Sequence, residues 1–208
     1  MTRGPYVNKT RRTRQRIVLA AAAVFHEHKT LEQVTICAVA ERAGVAEMTV
    51  FRHFPKRERL LRALWEHLDQ SFESAHGMPD SEYALLEQQL ALFRAFDKIP
   101  SQIMASIGTP AGRSARADSN AKVRRAFISI VGEVAPALMP AEKIRVAAIL
   151  QLLHSAYAWA SLREQWGLSA DAAGNASLCA IETLLGDLKR RSASARKNLR
   201  ATQTSLAR

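Results

Sequence analysis

The stretch from Ile36 to Phe54 reads ICAVAERAGVAEMTVFRHF and decides the fold of the N-terminal part of the chain. Its apolar residues recur at helical spacing on both sides of Gly44, which predicts one helix over 36–43 and a second over 46–54. Glycine adopts the left-handed backbone conformation at little cost, so Gly44 predicts a tight turn between the two helices. Two short helices around such a turn are typical of a helix-turn-helix, whose second helix enters the major groove of DNA.

Small and β-branched residues support a close crossing of these two helices. Ala40 is small where the second helix must pass, and Val39, Val45 and Val50 are spaced to meet underneath it. Thr35 is a favourable N-cap for the first helix of the pair. The alternative is an ordinary helical hairpin that has this spacing by chance, but the arginines that precede the segment favour the DNA-binding interpretation.

Apolar residues recur at helical spacing through nearly the whole chain, without a sustained period-two run. We therefore expect an all-α protein of about nine helices, with an N-terminal three-helix helix-turn-helix domain followed by a larger helical domain. Helix-breaking residues between Gly108 and Ser119 predict the clearest internal loop of the chain. Besides the two helices above, the expected helices lie at about 13–28, 56–74, 81–96, 100–107, 120–134, 141–166 and 170–191.

Charge is distributed unevenly along the 208 residues. Counted from Lys, Arg, Asp and Glu, the net charge is +7 over residues 1–60, −3 over 61–188 and +7 over 189–208. Basic ends indicate a polyanionic partner, because neutralised phosphates release condensed counterions, although anionic lipid would attract the same charges. The last segment has too little apolar content to pack, which predicts a basic disordered tail over 189–208 that adds nonspecific affinity for DNA.

The sequence also argues against several classes of protein. No stretch reaches the roughly 18 to 20 apolar residues of a membrane span, and we expect no membrane partner. Cys37 and Cys179 are far apart in a chain without a signal-peptide pattern, so we expect reduced thiols and a cytoplasmic location. His26 and His28 point to different sides of a helix, and no phosphate loop, metal-spaced cysteine pair or Ser-His-acid signature is present. We therefore expect that the protein is not an enzyme and that it binds neither a metal nor a cofactor.

Residues Arg12 to Leu64 resemble the DNA-binding domain of the TetR family of bacterial transcriptional regulators. The similarity rests on an arginine-led first helix ending in Ala-Val-Phe, on VAERAGV from Val39, and on TVFRHFP from Thr49 followed by Arg-Glu and Leu-Leu. It implies a homodimer that binds a palindromic operator in double-stranded DNA and a C-terminal domain that binds a small effector and dimerises. The expected segments are a basic arm over 1–11, the DNA-binding domain over 12–58, the effector-binding and dimerisation domain over 59–188 and the tail over 189–208.

The resemblance also implies which residues contact DNA. Thr35 and Arg57 are expected at phosphates, and Thr49, Phe51 and His53 along the recognition helix. Some of the basic residues have an alternative role as solvated surface charges. The full expected set is Thr35, Arg42, Glu47, Met48, Thr49, Phe51, Arg52, His53, Lys56 and Arg57.

Three positions depart from the family pattern. Phe51 stands where Tyr is usual, and the lost hydroxyl hydrogen bond is worth about 0.5–1.5 kcal/mol. Ala46 stands where Ser or Thr usually caps the recognition helix, and Lys29-Thr30 where Gly-Tyr is common. Glu47 either accepts a hydrogen bond from a cytosine amino group or faces solvent.

The C-terminal part resembles the family in architecture alone. The helix over 141–166 and the last helix resemble the pair that forms the family's dimer interface, with Leu152, Ile181 and Leu185 among their apolar residues. We expect a hydrophobic effector in a pocket formed by Phe93, Phe96, Met104, Phe127, Gln151, His154 and Tyr157. The alternatives are that these residues are plain core, and that the protein is an architectural or partner-binding protein that uses the same DNA-binding domain without a small ligand.

Overall fold

The computed structural model describes the backbone of residues 5–206 and the side chains of residues 9–197 except 73, 75, 118 and 119. Within this part of the chain every regular element is a helix, which confirms the all-α expectation. The ten helices of the described residues are α1 (Pro5–His28), α2 (Ile36–Ala43), α3 (Glu47–His53), α4 (Arg57–His76), α5 (Glu82–Lys98), α6 (Pro100–Gly108), α7 (Pro110–Val134), α8 (Pro140–Leu153), α9 (Ala156–Trp166) and α10 (Ala170–Leu206).

Contacts divide the chain into two compact units. The first unit contains the residues up to 75 together with 100–118, and the second contains 76–99 and the residues from 119 onwards. This division differs from the expected border between residues 58 and 59. All of α4 except its last residue belongs to the first unit, and the chain returns to that unit through α6 and the beginning of α7.

The first unit is built around the apolar faces of α1 and α4. Phe25 and Trp65 are both buried, and their rings meet edge to face with centroids 5.4 Å apart. Val39 of α2 and Val50 of α3 are completely buried in the same core, so both short helices are anchored by their inner faces. Ala115, near the beginning of α7, completes this core. Burial of these apolar side chains holds the two short helices in place, since helices of seven or eight residues are unstable alone.

The second unit is a helical bundle in which α10 packs along α5 and also contacts α8 and α9. Leu85, Phe127 and Leu150 are buried in one core with Ile181 and Leu185 of α10. The last two residues were expected at a dimer interface, but they pack inside their own unit. The sequence pattern could not make this distinction, because an apolar helical face looks the same in either setting.

The expectation of a single helix over 141–166 is wrong. The structure breaks it into α8 and α9 at His154 and Ser155. His154 leaves the helical region (φ −95°, ψ 48°), and the Ser155 hydroxyl accepts from two backbone N–H groups of the first turn of α9 at 3.2 and 3.4 Å. Serine competes for backbone hydrogen bonds in this way, and it starts a new helix here.

The expectation of an internal loop between Gly108 and Ser119 is also wrong, because α7 begins at Pro110. Thr109 caps the helix by accepting from the Gly112 N–H at 3.2 Å, and proline suits the first helical position. A Cβ added at Gly112 would collide with the carbonyl of Ser106. The glycine therefore allows a close approach between α6 and α7 and does not break the helix.

The chain termini differ from the expected arm and tail. α1 begins at Pro5, so the backbone of the expected arm is helical from that residue, and α10 continues through the expected tail to Leu206. Residues 1–4 and 207–208 lie outside the described part of the chain.

The first basic residues of the expected tail have partners within the second unit. The Lys189 ammonium lies 2.7 Å from the Glu82 carboxylate, and Arg191 forms an ion pair with Glu142. Ser192 is buried, and its hydroxyl accepts from the Ala137 N–H at 3.4 Å. These contacts extend the packed part of α10 beyond the point at which composition predicted disorder.

Two glycines of α7 give opposite expectations for replacement by alanine. Gly112→Ala should lower the free energy of unfolding by about 1–3 kcal/mol, because the new methyl group overpacks the crossing with α6. The methyl group added by Gly132→Ala faces open space. This substitution should raise the free energy of unfolding by about 0.5–1 kcal/mol, because alanine has a higher helix propensity than glycine. Urea unfolding followed by circular dichroism measures both. Equal effects of the two substitutions would contradict the close contact at Gly112.

Candidate nucleic-acid interface

The predicted helix-turn-helix is formed by α2, the turn at Gly44 and α3. The Thr35 hydroxyl accepts from the Ala38 N–H at 3.1 Å and so caps α2, as the sequence predicted. Gly44 is left-handed (φ 62°, ψ 44°), and its N–H donates to the carbonyl of Glu41 at 3.0 Å. The Val45 N–H reaches the Ala40 carbonyl at 3.0 Å, which completes the hydrogen-bond pattern of a glycine-terminated helix.

The recognition helix α3 buries one face and exposes the other. Val50 is completely buried and Phe54, which ends the helix, is nearly so. Ala46 at the N-cap makes no side-chain capping bond, as expected from the departure at this position. The exposed side carries Met48, Phe51 and Arg52. These are the side chains of α3 that are free to meet the edges of bases.

Thr49 and His53 lie on the flanks of the recognition helix and are partly buried. The pKa of His53 is lowered, first by its partial burial and then by the positive charges of Arg52 and Arg14. The neutral imidazole is therefore favoured near pH 7, and it can donate one hydrogen bond and accept another without carrying a charge.

Arg16 is a residue that the sequence patterns did not single out. Its guanidinium donates to the carbonyl of Ala43 at 2.5 Å and to that of Gly44 at 3.3 Å. It thereby satisfies carbonyl groups at the C-terminus of α2, where a cation also opposes the negative end of the helix dipole. An arginine in the leading helix was visible in the sequence, but its reach to a turn 27 residues later depends on the packing of α1 against α2.

Arg57 was expected at a phosphate, and the structure gives it a partner within the protein. Its guanidinium donates to the carbonyl of Val34 at 3.1 Å and to that of Leu31. These bonds fix the segment between α1 and α2, which ends at the capping residue Thr35. Arg57 therefore supports the N-terminus of α2 through backbone contacts.

Two further charged candidates also have partners inside the first unit. Arg42 forms an ion pair with Glu27 of α1, and both side chains are about half exposed. The pKa of Cys37 is raised, first by a hydrogen bond to the Glu47 carboxylate and then by its negative charge. Glu47 is therefore close to Cys37 of α2, and its side chain is exposed.

A group of exposed basic side chains lies on α1, ahead of the helix-turn-helix. The first 26 residues of the chain contain no Asp or Glu. Arg14 extends over the Phe54 ring, with its guanidinium carbon 4.9 Å from the ring centroid, which places it beside the end of α3. The other exposed basic residues of this end of α1 are Lys9, Arg11 and Arg12, and Lys56 is exposed after α3. Such a surface favours contact with a phosphate backbone.

Among the residues expected to bind an effector, Phe127 and His154 lie together in the second unit, with ring centroids 5.9 Å apart. Phe93, Phe96 and Phe127 are buried, and the Phe93 and Phe96 rings lie 6.1 Å apart. Gln151 is partly buried, and Tyr157 is exposed. Met104 belongs to the first unit. The three phenylalanines are therefore core residues, which was the alternative left open by the sequence.

His154 is the expected effector residue that lines a pocket of the second unit. The pocket is small, with a cavity volume of about 40 Å³, and it is lined by His76, Gly77, Gln88, Ala91, Leu92 and His154. The completely buried Gln89, which the sequence did not indicate, lies 2.6 Å from His154 Nδ1 through its Oε1. Its Nε2 donates to the Leu153 carbonyl at 3.3 Å, so Oε1 accepts and the Nδ1 of His154 carries a proton.

None of the helices in the described residues has the length and hydropathy of a membrane span. The same residues contain no group of three or more His, Cys, Asp or Glu side chains arranged to hold a metal ion.

A glycine turn, a capped first helix, a second helix with a free outer face and a basic surface beside it define a helix-turn-helix DNA-binding domain. Residues 17–64 match the family described as bacterial regulatory proteins, tetR family. The match covers the helix-turn-helix and the helices on either side of it.

Similar sequences align over the same part of the chain. A nucleoid occlusion factor SlmA from Alteromonas mediterranea is 34% identical over 67 residues, which cover 32% of this chain and 33% of that protein. The SlmA of Mannheimia succiniciproducens is 30% identical over 61 residues, which cover 29% of this chain and 28% of that protein. The chain thus aligns with about a third or less of the length of these curated relatives.

Similar solved structures extend over both units but share little sequence. NalD, the secondary repressor of the MexAB-OprM multidrug efflux pump in Pseudomonas aeruginosa, aligns with a TM-score of 0.53 and 18% identity, over 84% of this chain and 96% of its own. A TetR transcriptional regulator from Rhodococcus sp. RHA1 aligns with a TM-score of 0.53 and 20% identity, over 85% of this chain and 98% of its own. These similarities establish a fold shared with transcriptional regulators.

Arg57 and Lys56 provide a test of the supporting role of Arg57. Arg57→Ala removes two bonds to backbone carbonyls and should lower the free energy of unfolding by about 1–3 kcal/mol, since the donor is charged. Lys56→Ala, at the exposed neighbouring position, should change it by less than about 0.5 kcal/mol. Thermal unfolding compares the two variants. Equal melting temperatures of the two variants would show that Arg57 does not stabilise the fold.

His154 should make the stability of the protein depend on pH. Burial lowers its pKa from 6.5 to about 4 in the folded state. The unfolded chain therefore binds a proton first, and stability that is complete above pH 6.5 should fall by about 3 kcal/mol as the pH drops to 4. His154→Gln should lose less stability over this interval than the wild type, while the exposed-site control His28→Gln should follow the wild type. Urea unfolding at a series of pH values measures the difference, and parallel curves for all three proteins would contradict it.

Proposed function

We propose that the protein is a cytoplasmic, sequence-specific transcriptional regulator of the TetR type. In this proposal it acts as a repressor, without catalytic activity, and leaves a palindromic operator when a small hydrophobic effector binds. The observation that carries the proposal is the free outer face of α3, anchored from beneath by Val50 and flanked by the basic end of α1. A recognition helix supported in this way can lie in a major groove while basic side chains contact the neighbouring phosphates.

A homodimer is supported by apolar residues left exposed on the second unit. Ile144, Ala148 and Leu152 of α8 lie on one helical face and are all exposed. On α10 the exposed residues Ala172, Ala176, Cys179 and Thr183 recur at intervals of four and three, which forms a continuous stripe of small side chains. Small residues allow helices to approach closely, and two copies that share these faces would bury them in a four-helix arrangement.

An effector site is supported by the pocket beside His154. Because Nδ1 of this histidine donates to Gln89, its Nε2 is the acceptor in the neutral ring. Ala91 and Leu92 supply an apolar wall, which suits a largely hydrophobic ligand with a single hydrogen-bond donor. The cavity volume of about 40 Å³ is far below the roughly 300–1,000 Å³ of typical ligand sites, so such a ligand must move the surrounding helices. By moving these helices, the bound ligand would favour a second arrangement of the protein.

The second candidate is an architectural or partner-binding protein that uses the same DNA-binding domain without a small ligand. It is favoured by the matched curated relatives, which are named nucleoid occlusion factors. It is also favoured by the packing of Phe93, Phe96 and Trp159 against one another, because these rings fill space that a larger ligand would need.

Selection of bound fragments from genomic DNA at about 150 mM salt tests the proposed function, since this salt concentration suppresses nonspecific binding. We expect a palindrome whose half-sites lie about one helical turn apart, bound as a dimer. The double variant Arg52→Ala, His53→Ala should lose this preference while it keeps the wild-type circular dichroism spectrum. Binding without sequence preference, equal in both proteins, would instead favour the architectural candidate.

Leu152→Glu separates the contribution of the dimer from that of the recognition helix. It introduces a charge into the exposed apolar face of α8, so sedimentation should show a monomer whose operator affinity falls at least tenfold. Tyr83→Ala changes an equally prominent exposed side chain away from that face and should leave both properties unchanged. A dimer in both variants would place the interface elsewhere.

A further inference from the structure

We propose that α3 reads the C5-methyl groups of thymines through Met48 and Phe51. The inference rests on the proposed function and specifies which base feature the interface recognises. It assigns to this pair of apolar side chains a role in sequence recognition that replaces the hydroxyl missing at position 51.

The geometry of α3 brings the two side chains together on its outer face. Successive residues of an α-helix are rotated by about 100°, so Met48 lies nearly opposite the buried Val50, between Phe51 and Arg52. Met48 is 76% exposed and Phe51 is 43% exposed, in a helix whose inner face is fully packed. The outermost surface of the recognition helix therefore consists of a thioether, an aromatic ring and a guanidinium group.

Covering exposed apolar surface is favourable, so a partner with an apolar group at this position would gain affinity from Met48 and Phe51. The major groove offers one kind of apolar group, the thymine methyl, and aromatic or aliphatic side chains pack against it. Neither Met48 nor Phe51 can donate a hydrogen bond to an acceptor at a base edge. Glu47, the carboxylate of α3, lies about 100° around the helix from Met48 and near Cys37 of α2, so it is on the flank of this surface. The remaining cation, Arg52, suits guanine, and a half-site with adjacent thymine and guanine fits this surface best.

Deoxyuridine differs from thymidine only by the missing methyl group, and it isolates this contact without altering base pairing. In the selected operator, each thymine of one half-site is replaced in turn by deoxyuridine, and the dissociation constant for the full-length protein is measured. Burial of one methyl group corresponds to a factor of about three to five in affinity. We expect a loss of this size at one or two neighbouring thymines and no change at the others.

Variants link the effect to the two side chains. Met48→Ala, Phe51→Ala should bind the operator more weakly than the wild type and lose the sensitivity to deoxyuridine at those thymines. Met139→Ala removes a methionine that is 70% exposed in the second unit, and this matched control should keep both the affinity and the sensitivity. Both positions of the double variant lie on the surface, and its circular dichroism spectrum reports whether the fold is kept.

The possible outcomes distinguish the inference from the proposed function. A specific operator that depends on Arg52 and His53 but binds equally well with deoxyuridine at every position would overturn the inference alone. A double variant that remains as sensitive as the wild type would also overturn it. A change in oligomeric state of the double variant would show that a second copy of the chain covers these residues instead of DNA. The absence of any preferred sequence would overturn both proposals.

Discussion

The left-handed turn at Gly44 determines the direction in which α3 leaves α2. Any residue with a Cβ is strained at this φ, and the turn is further held by Arg16, which bonds the carbonyl groups at the end of α2. The two buried valines beneath the turn, Val39 and Val50, then fix the rotation of each helix about its axis. Which side chains of α3 face outwards follows from these constraints, because a helix of seven residues has no other means of maintaining its orientation.

Arginines in the first unit show how one residue type serves two purposes. Arg16 and Arg57 donate to backbone carbonyls of the first unit, whereas Arg52 remains exposed on the recognition helix. A guanidinium has five donors in a fixed plane, which lets it bind several carbonyl groups at once. Part of the positive charge that indicates a DNA-binding protein in the sequence is therefore used to hold the interface together.

In the second unit, a buried polar group and a helix break occur at the same place. Gln89 is enclosed by the core and satisfies its amide through the Leu153 carbonyl and the His154 ring. The Ser177 hydroxyl donates to the same carbonyl at 2.6 Å. These bonds satisfy the last carbonyl of α8, which has no partner within the helix. They also connect the break between α8 and α9 to α5 and α10. A ligand beside His154 would act directly on this junction.

The sequence by itself determined the helical class, the capped helix after Thr35, the turn at Gly44 and the burial of Val50, because these features depend on spacing, local hydrogen bonds and backbone conformation. It did not determine the break at His154, the continuous helix from Pro110 or the packing of α10 beyond residue 188. The break at His154 is bonded to Gln89 and the packed part of α10 to Glu82, both of which are distant in the chain, whereas the helix from Pro110 depends on its Thr109 cap and on the close approach of Gly112 to Ser106. The roles of Arg57 and Glu47 were likewise decided by tertiary structure, since a charged side chain bonds whichever group the fold brings within reach.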